Sequence, residues 1–358
     1  MTAGLDGRTV LVTGAAGWLG RALVHALVRG LPDCPPFATP PRLAALRAFV
    51  RPGEEAALAE LGSAVALVTG DVRGADDCAR LCRDAQDAVL FHLAGVIHPR
   101  RVREFYEVNL HGTEQVLAAA AAAGVARAVV MSSNSPLGVN PHPDHRFDEA
   151  SPYAPYRHYG RSKMLMEQAV ARVQADGRLE TVVIRAPWFY GPHQPPRQTE
   201  FFAMIRDGRV PLVGGGRALR SMSYTGNLAE GLLRAAVTPA AAGRTYWIAD
   251  ARPYAMAEVI DTVERLLEDE FGVPCAHRRL RLPGVVSGIA ELCDGALQAL
   301  GLYHQKIHVL AEMNKTIACS IERARRELGY APAVALEEGM RRSLRWVLER
   351  GLLPPRRG

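Results

Sequence analysis

Tyr159 and Lys163 stand four apart in Tyr159-Gly160-Arg161-Ser162-Lys163, at the start of a stretch with helical apolar spacing. On a helix that spacing places both side chains on one face. A tyrosine with a pKa near ~10 is a poor base at neutral pH, and an ammonium beside it stabilises the phenolate and lowers that value. Ser133 ends a β-rich run upstream, where its hydroxyl can hold a substrate oxygen while Tyr159 moves a proton. Ser132 is the weaker candidate, because neighbours on a strand point to opposite faces. A Tyr-x-x-x-Lys pair alone is common on solvated helices. Its weight here comes from a glycine turn near the N-terminus, Gly14-Ala15-Ala16-Gly17-Trp18-Leu19-Gly20, which follows the apolar run Arg8–Val12 and opens a helical pattern. Glycines so placed let the backbone approach a pyrophosphate, and the helix N-terminus offers N–H donors to the anion.

These residues need a scaffold, and the chain supplies a repeating one. Strands are predicted at Arg8–Val12, Leu46–Val50, Ala64–Val68, Ala88–Leu93, Ala126–Met131 and Thr181–Arg185. Helices are predicted between them, including Arg103–Ala123 and Tyr159–Gln174, with Gly30 as the stop of the first. The Pro-rich segment Leu31–Pro41 reads as a surface loop. Alternating strands and helices imply right-handed crossovers and a parallel sheet covered on both faces, an α/β doubly wound fold. The strands are continuous apolar runs, as a doubly covered sheet requires. Residues 1–186 are expected to form the dinucleotide-binding domain. Residues 187–358 are expected to form a smaller, mixed substrate region whose chain returns to the sheet near 220–250.

The motifs resemble those of the extended short-chain dehydrogenase/reductases, the epimerase/dehydratase group. Besides Thr13 to Gly20 and the Tyr-x-x-x-Lys pair, the resemblance runs through Gly70-Asp71-Val72, His92-Leu93-Ala94-Gly95, Asn109-Leu110-His111-Gly112-Thr113 and Met131-Ser132-Ser133, ending in Ala324–Tyr330. It implies an NAD(P)-dependent enzyme that moves hydride at a secondary alcohol or ketone carbon. Tyr159 is then the acid/base, Ser133 orients the oxygen, and Lys163 also holds the nicotinamide ribose. Counting back from Gly138 selects Ser133 over Ser132. Gly14, Ala16, Gly17, Trp18, Leu19, Gly20, Val72, Leu93, Ala94, Gly95 and Pro187 would line the dinucleotide, with Asp71 at the adenine. Asn109 would support the active-site backbone, although a plain helix N-cap explains it equally well. A homodimer through the two long helices is also implied.

NADP is the favoured cofactor and NAD the alternative, because Arg51 stands where NAD enzymes carry a carboxylate at the end of the second strand. The substrate evidence is mixed. Arg220 matches an arginine that clamps the diphosphate of nucleotide sugars, which makes such a sugar the first expectation. Trp188, however, replaces the sugar-binding asparagine and makes the pocket wall flatter and more apolar. Ser133-Asn134-Ser135 lacks the carboxyl groups that elimination of water needs, which argues against a dehydratase, and Asn134 is left as a substrate contact. The segment Leu280–Leu302 carries an apolar stripe, Val285, Ile289, Leu292, Ala296 and Leu300, with Glu291, Asp294 and Gln298 off it. Core packing or a substrate lid is the default expectation for it, and a lipid-facing helix the sharper one. A similar segment occurs in the 3β-hydroxysteroid dehydrogenase-like branch, so a sterol or other hydrophobic alcohol is the alternative substrate. A nonenzymatic dinucleotide sensor is a third reading, disfavoured because Tyr159 and Lys163 are both present.

Composition closes off other classes. With 48% hydrophobic and 22% charged residues over 358 positions, the chain is not disordered. The net charge of +6 rests on 43 basic residues, of which only Lys163, Lys306 and Lys315 are lysines. Most arginines fall on predicted outer helix faces or the tail, so a nucleic-acid partner is not expected. The scattered cysteines read as reduced intracellular thiols, and the histidines near the site lack metal-ligand spacing. No signal peptide and no spanning segment is apparent, and a cytoplasmic protein without membrane insertion is expected.

Overall fold

The computed structural model describes residues 4–356. Its first half alternates β1 (Thr9–Thr13), α1 (Trp18–Arg29), β2 (Ala45–Val50), β3 (Ala66–Thr69), α2 (Ala75–Leu81), β4 (Val89–His92), α3 (Thr113–Ala122), β5 (Arg127–Met131), α4 (Arg157–Ala175) and β6 (Glu180–Arg185). The second half adds β7 (Trp188–Tyr190), α5 (Pro196–Arg206), β8 (Pro211–Val213), β9 (Leu219–Arg220), β10 (Met222–Tyr224), α6 (Thr225–Val237), β11 (Thr245–Trp247), β12 (Tyr254–Ala255), α7 (Met256–Asp269), β13 (Leu280–Leu282), α8 (Val285–Ala299), α9 (Gln305–Glu312) and α10 (Leu336–Glu349).

The central sheet has seven parallel strands in the order β11-β6-β5-β4-β1-β2-β3. Its strand order reverses between β1 and β4, the position where ligands of open α/β sheets collect. Every residue of β4 and β5 is buried, which accounts for the apolar runs Val89–Phe91 and Ala128–Met131; His92 and Arg127 at their ends are buried with hydrogen-bond partners. One face packs on α1 and α6 through Leu23, Leu27, Leu228 and Leu232. The other packs on α2, α3 and α4 through Leu81, Val116, Leu117 and Met166. A separate core, built on Phe202, Ile260, Leu266 and Leu344, joins α5, α7 and α10.

Three local expectations change. The segment Leu31–Pro41 is a loop, as expected, but not one confined to the surface: Gly30 ends α1 at φ +83°, and a tight turn at Pro35–Phe37 then buries Phe37 in the core. The helix expected at Arg103–Ala123 is split, with a π-helical stretch at Phe105–Gly112 running into α3. The extra residue per turn rotates side chains relative to an α-helix, as is common at functional sites. The short helix expected after β2 is a 3-10 segment, Glu55–Ala64, broken at Gly62.

Candidate active site

The glycine turn follows β1 directly. Gly14 has φ +65°, and a Cβ there would lie 2.7 Å from the Ala94 amide nitrogen, so the turn presses against the chain leaving β4. A Cβ on Gly20 would fall 2.0 Å from the Gly14 carbonyl oxygen, so α1 packs against the turn only without a side chain there. Gly17 caps α1 with no side-chain partner, and the first turn of α1 carries no acid. The N–H groups that α1 leaves unpaired therefore face an uncharged, open turn, which fits a dinucleotide pyrophosphate. Trp18 Nε1 donates to the Pro192 carbonyl at 2.8 Å and Arg21 to the His193 carbonyl at 2.6 Å, tying this turn to the second half of the chain.

At the neighbouring strand ends, Arg51 follows β2 and Asp71 follows β3. The Arg51 side chain is 71% exposed and pairs with Glu54. Asp71 holds Arg73 at 2.6 Å, and that charged hydrogen bond keeps its carboxyl below the usual range. Arg73 was not singled out from the sequence, although its place two residues after Asp71 could have flagged it.

Ser132 and Ser133 diverge as neighbours leaving a strand should. Ser132 Oγ donates to Glu167 at 2.5 Å, whereas Ser133 Oγ accepts from the Ser135 amide at 3.0 Å and faces Tyr159. Burial raises the Tyr159 pKa; the Ser133 hydroxyl and the Arg197 charge pull it back, and Glu312 pushes it further up. Lys163 is buried too, but its Nζ donates to the Met131 carbonyl at 2.7 Å and lies 3.1 Å from Met166 Sδ. Desolvation brings its pKa down to about 8 against the pull of Glu167. The four-residue spacing therefore gives the shared face, while the charge that lowers the phenol's pKa in this arrangement comes from Arg197 on α5, against the larger opposing push of Glu312.

Asn109 lies inside the π-helical stretch, so it is not an N-cap. Its Oδ1 accepts from the Val96 amide at 2.8 Å, and its Nδ2 donates to the Val96 carbonyl at 3.0 Å and to Ser162 Oγ at 3.1 Å. It braces the chain after Leu93, Ala94 and Gly95 against α4, the helix of Tyr159 and Lys163. Val72 is buried and Asn134 half-buried. Pro187 links β6 to β7, where the Trp188 ring meets Phe201 at 5.5 Å between centroids.

Over Tyr159 lies the α8–α9 hairpin. The Tyr303 hydroxyl and His98 Nδ1 are 2.7 Å apart, and Tyr303 meets Phe105 edge-on, with Phe105 in turn 5.6 Å from the Tyr159 ring. Burial brings His98 down to about 3, so it stays neutral and works as a hydrogen-bonding group. The Arg220 guanidinium donates to the Glu312 backbone carbonyl at the end of α9. Tyr303, His98 and Arg197 escaped sequence reasoning because they come from three distant segments that only the tertiary fold assembles.

Of the default expectation for α8, core packing or a substrate lid, core packing of the apolar stripe does not hold. Asp294 and Gln298 are buried, with Asp294 2.8 Å from His308 Nδ1, while Leu292 and Leu300 are 75% and 76% exposed. The polar side of the helix faces the protein because His308, Gln298 and Arg157 satisfy it there. The apolar stripe points out.

Comparison with known proteins agrees with this architecture. The model of the NAD dependent epimerase/dehydratase family matches residues 10–249. An uncharacterized protein of Sinorhizobium fredii is 52% identical over 349 residues, 97% of each chain. A 2-alkyl-3-oxoalkanoate reductase of Stenotrophomonas maltophilia is 31% identical, over 93% of this chain and 97% of its own. A 4-hydroxy-2-methyl-3-oxo-4-farnesyl-3,4-dihydroquinoline-1-oxide ketoreductase of Stigmatella aurantiaca is 30% identical, over 92% of this chain and 93% of its own. Among solved structures, the dTDP-glucose 4,6-dehydratase DesIV of Streptomyces venezuelae with NAD bound superposes with a TM-score of 0.72 at 25% identity, covering 98% of this chain and all of that one. With the family's fold, its glycine turn and its motif order all present, this chain belongs to the NAD-dependent epimerase/dehydratase family and is an enzyme of it.

Proposed function

We propose that the protein interconverts a secondary alcohol and a ketone on a hydrophobic small molecule, with NADP as the cofactor. The glycine turn would hold a nicotinamide dinucleotide, whose chemistry when bound would be to supply or accept the hydride. Tyr159 Oη gives the proton to the substrate oxygen in reduction and takes it in oxidation, and Ser133 Oγ holds that oxygen in place. Lys163, released from the Met131 carbonyl, is assigned to the ribose hydroxyls. The observation that carries the substrate class is the aromatic surroundings of Tyr159: Phe105 lies tilted against its ring and Tyr303 meets Phe105 edge-on, while Arg220, the cation suited to a diphosphate, donates to the Glu312 backbone carbonyl. The two named reductases among the relatives, acting on an oxoalkanoate and a farnesyl compound, support the same reading. Initial rates of NADPH oxidation with alkyl β-keto acids and 3-ketosteroids are expected to exceed those with nucleotide sugars by at least about tenfold, the scale of one well-filled apolar contact. Faster turnover of a nucleotide sugar, lost in Arg220→Ala, would overturn this and restore the sugar reading.

NADP over NAD rests on Arg51, with Arg73 beside it. A charged hydrogen bond to a 2′-phosphate is worth ~1.5–3 kcal/mol. Arg51 is exposed, so the lower end applies, and Arg51→Ala is expected to weaken NADPH binding about tenfold. NADH binding, followed by the same fluorescence titration, should stay unchanged. Equal losses for both cofactors would remove Arg51 from the 2′-phosphate.

A further inference from the structure

The outward face of α8 has no partner within the described chain. Val285, Ile289, Leu292, Leu300 and, just beyond, Leu302 are each at least half exposed, and Gly288, Cys293 and Ala296 fill the spaces between them. Monomeric soluble proteins rarely show a contiguous apolar face of this kind unless something covers it. The two acids of α8 do not reach that face: Glu291 is held by Lys315 at 2.7 Å, and Asp294 is buried beneath His308. The face is therefore uncharged, and cations border it. Arg278 and Arg281 precede the helix, Lys306 follows it, and Arg161 flanks it in a surface depression shared with Gly295 and Ala299. All four are exposed, and none takes part in an ion pair among the described residues.

We infer that α8 docks the enzyme on the surface of an anionic phospholipid bilayer. An apolar stripe bordered by unpaired cations suits a helix lying in the headgroup plane, its apolar side in the acyl boundary and its cations on lipid phosphates. The 15-residue helix is ~22 Å long, too short to cross the hydrocarbon core, and no helix among the described residues is long and apolar enough to span a membrane. The position of the helix gives the docking a purpose. The same hairpin carries Tyr303 above Tyr159, so a docked α8 brings the entrance of the site to the lipid surface, where a hydrophobic ketone resides.

Flotation of the full-length protein with phosphatidylcholine vesicles, with and without roughly 30% phosphatidylglycerol, tests this. Wild type is expected to float with the anionic vesicles and to lose binding as salt is raised. Ile289→Glu with Leu292→Glu should reduce the bound fraction about tenfold or more. Arg281→Glu with Lys306→Glu should abolish the preference for phosphatidylglycerol. Melting temperature and NADPH binding should be unchanged in both variants, which separates this outcome from misfolding and from any failure of the proposed reaction. Wild type that ignores both vesicles, or a glutamate variant that floats like wild type, would overturn the inference. So would a glutamate variant that turns a dimer into monomer on size exclusion without affecting flotation, because the face would then belong to a second copy.

Discussion

Tyr159→Phe is expected to lower turnover by about a thousandfold to ten-thousandfold while leaving NADPH binding within a factor of about two. The loss corresponds to ~4–5 kcal/mol of transition-state stabilisation, at ~1.4 kcal/mol per tenfold. The ring occupies the same space without its hydroxyl, so the contact with Phe105 at 5.6 Å survives and the fold is not at stake. What disappears is the proton carrier. Burial raises the phenol pKa, and Ser133 and Arg197 offset only part of that, so at neutral pH the hydroxyl is protonated. A protonated phenol is the competent form for reducing a ketone. The reductive rate should therefore be flat through neutral pH and fall only as the phenol ionises at alkaline pH. The oxidative rate, which needs the phenol to accept a proton, should rise with pH over the same range. Stopped-flow NADPH oxidation and alcohol oxidation across pH measure both limbs. A phenylalanine variant that keeps a tenth of wild-type turnover would show that another group carries the proton.

What the sequence made legible was local or periodic. The apolar runs Val10–Val12, Val89–Phe91 and Ala128–Met131 can be read as buried parallel strands because a sheet covered on both faces buries successive residues. Gly14 and Gly20 can be read because backbone occupies the space where a Cβ would stand. The acceptor that a polar group finds across the fold was not legible. The spacing of Tyr159 and Lys163 fixes a shared face, yet the Met131 carbonyl, 32 residues earlier in the chain, claims the ammonium. The α8 stripe fails for the same reason in reverse: periodicity separates an apolar side from a polar one but does not say which side meets the protein. His308, from the next helix, decides that by holding Asp294 inside. Arg220 was recognisable as a cation in a motif, but its partner is a carbonyl on α9, a helix that only tertiary packing brings to it.

The largest expected loss of stability comes from a residue outside the reaction. Glu167 lies four residues beyond Lys163 on α4 and is buried with Arg185, whose Nη2 reaches Glu167 Oε2 at 2.7 Å. Ser132 Oγ donates to one carboxylate oxygen at 2.5 Å and the Tyr153 hydroxyl to the other at 2.8 Å. This cluster pins the middle of α4 to the ends of β5 and β6, directly behind Ser133 and Lys163. Burying the pair is costly, and replacing both partners by apolar groups can be nearly neutral. Removing the carboxylate alone leaves a guanidinium that is 5% exposed with no counter-charge, and strands the Ser132 and Tyr153 hydroxyls as well. Glu167→Ala should therefore cost about 3–5 kcal/mol, read from urea denaturation midpoints at unchanged slope. Glu167→Leu combined with Arg185→Met should recover more than half of that loss, because no charge is then left unpaired. If the double variant is as unstable as Glu167→Ala, the loss reflects packing around α4 rather than the orphaned charge. Activity separates the two effects further. A double variant that folds well but turns over slowly would show that the cluster also sets the position of the strand end from which Ser133 faces Tyr159.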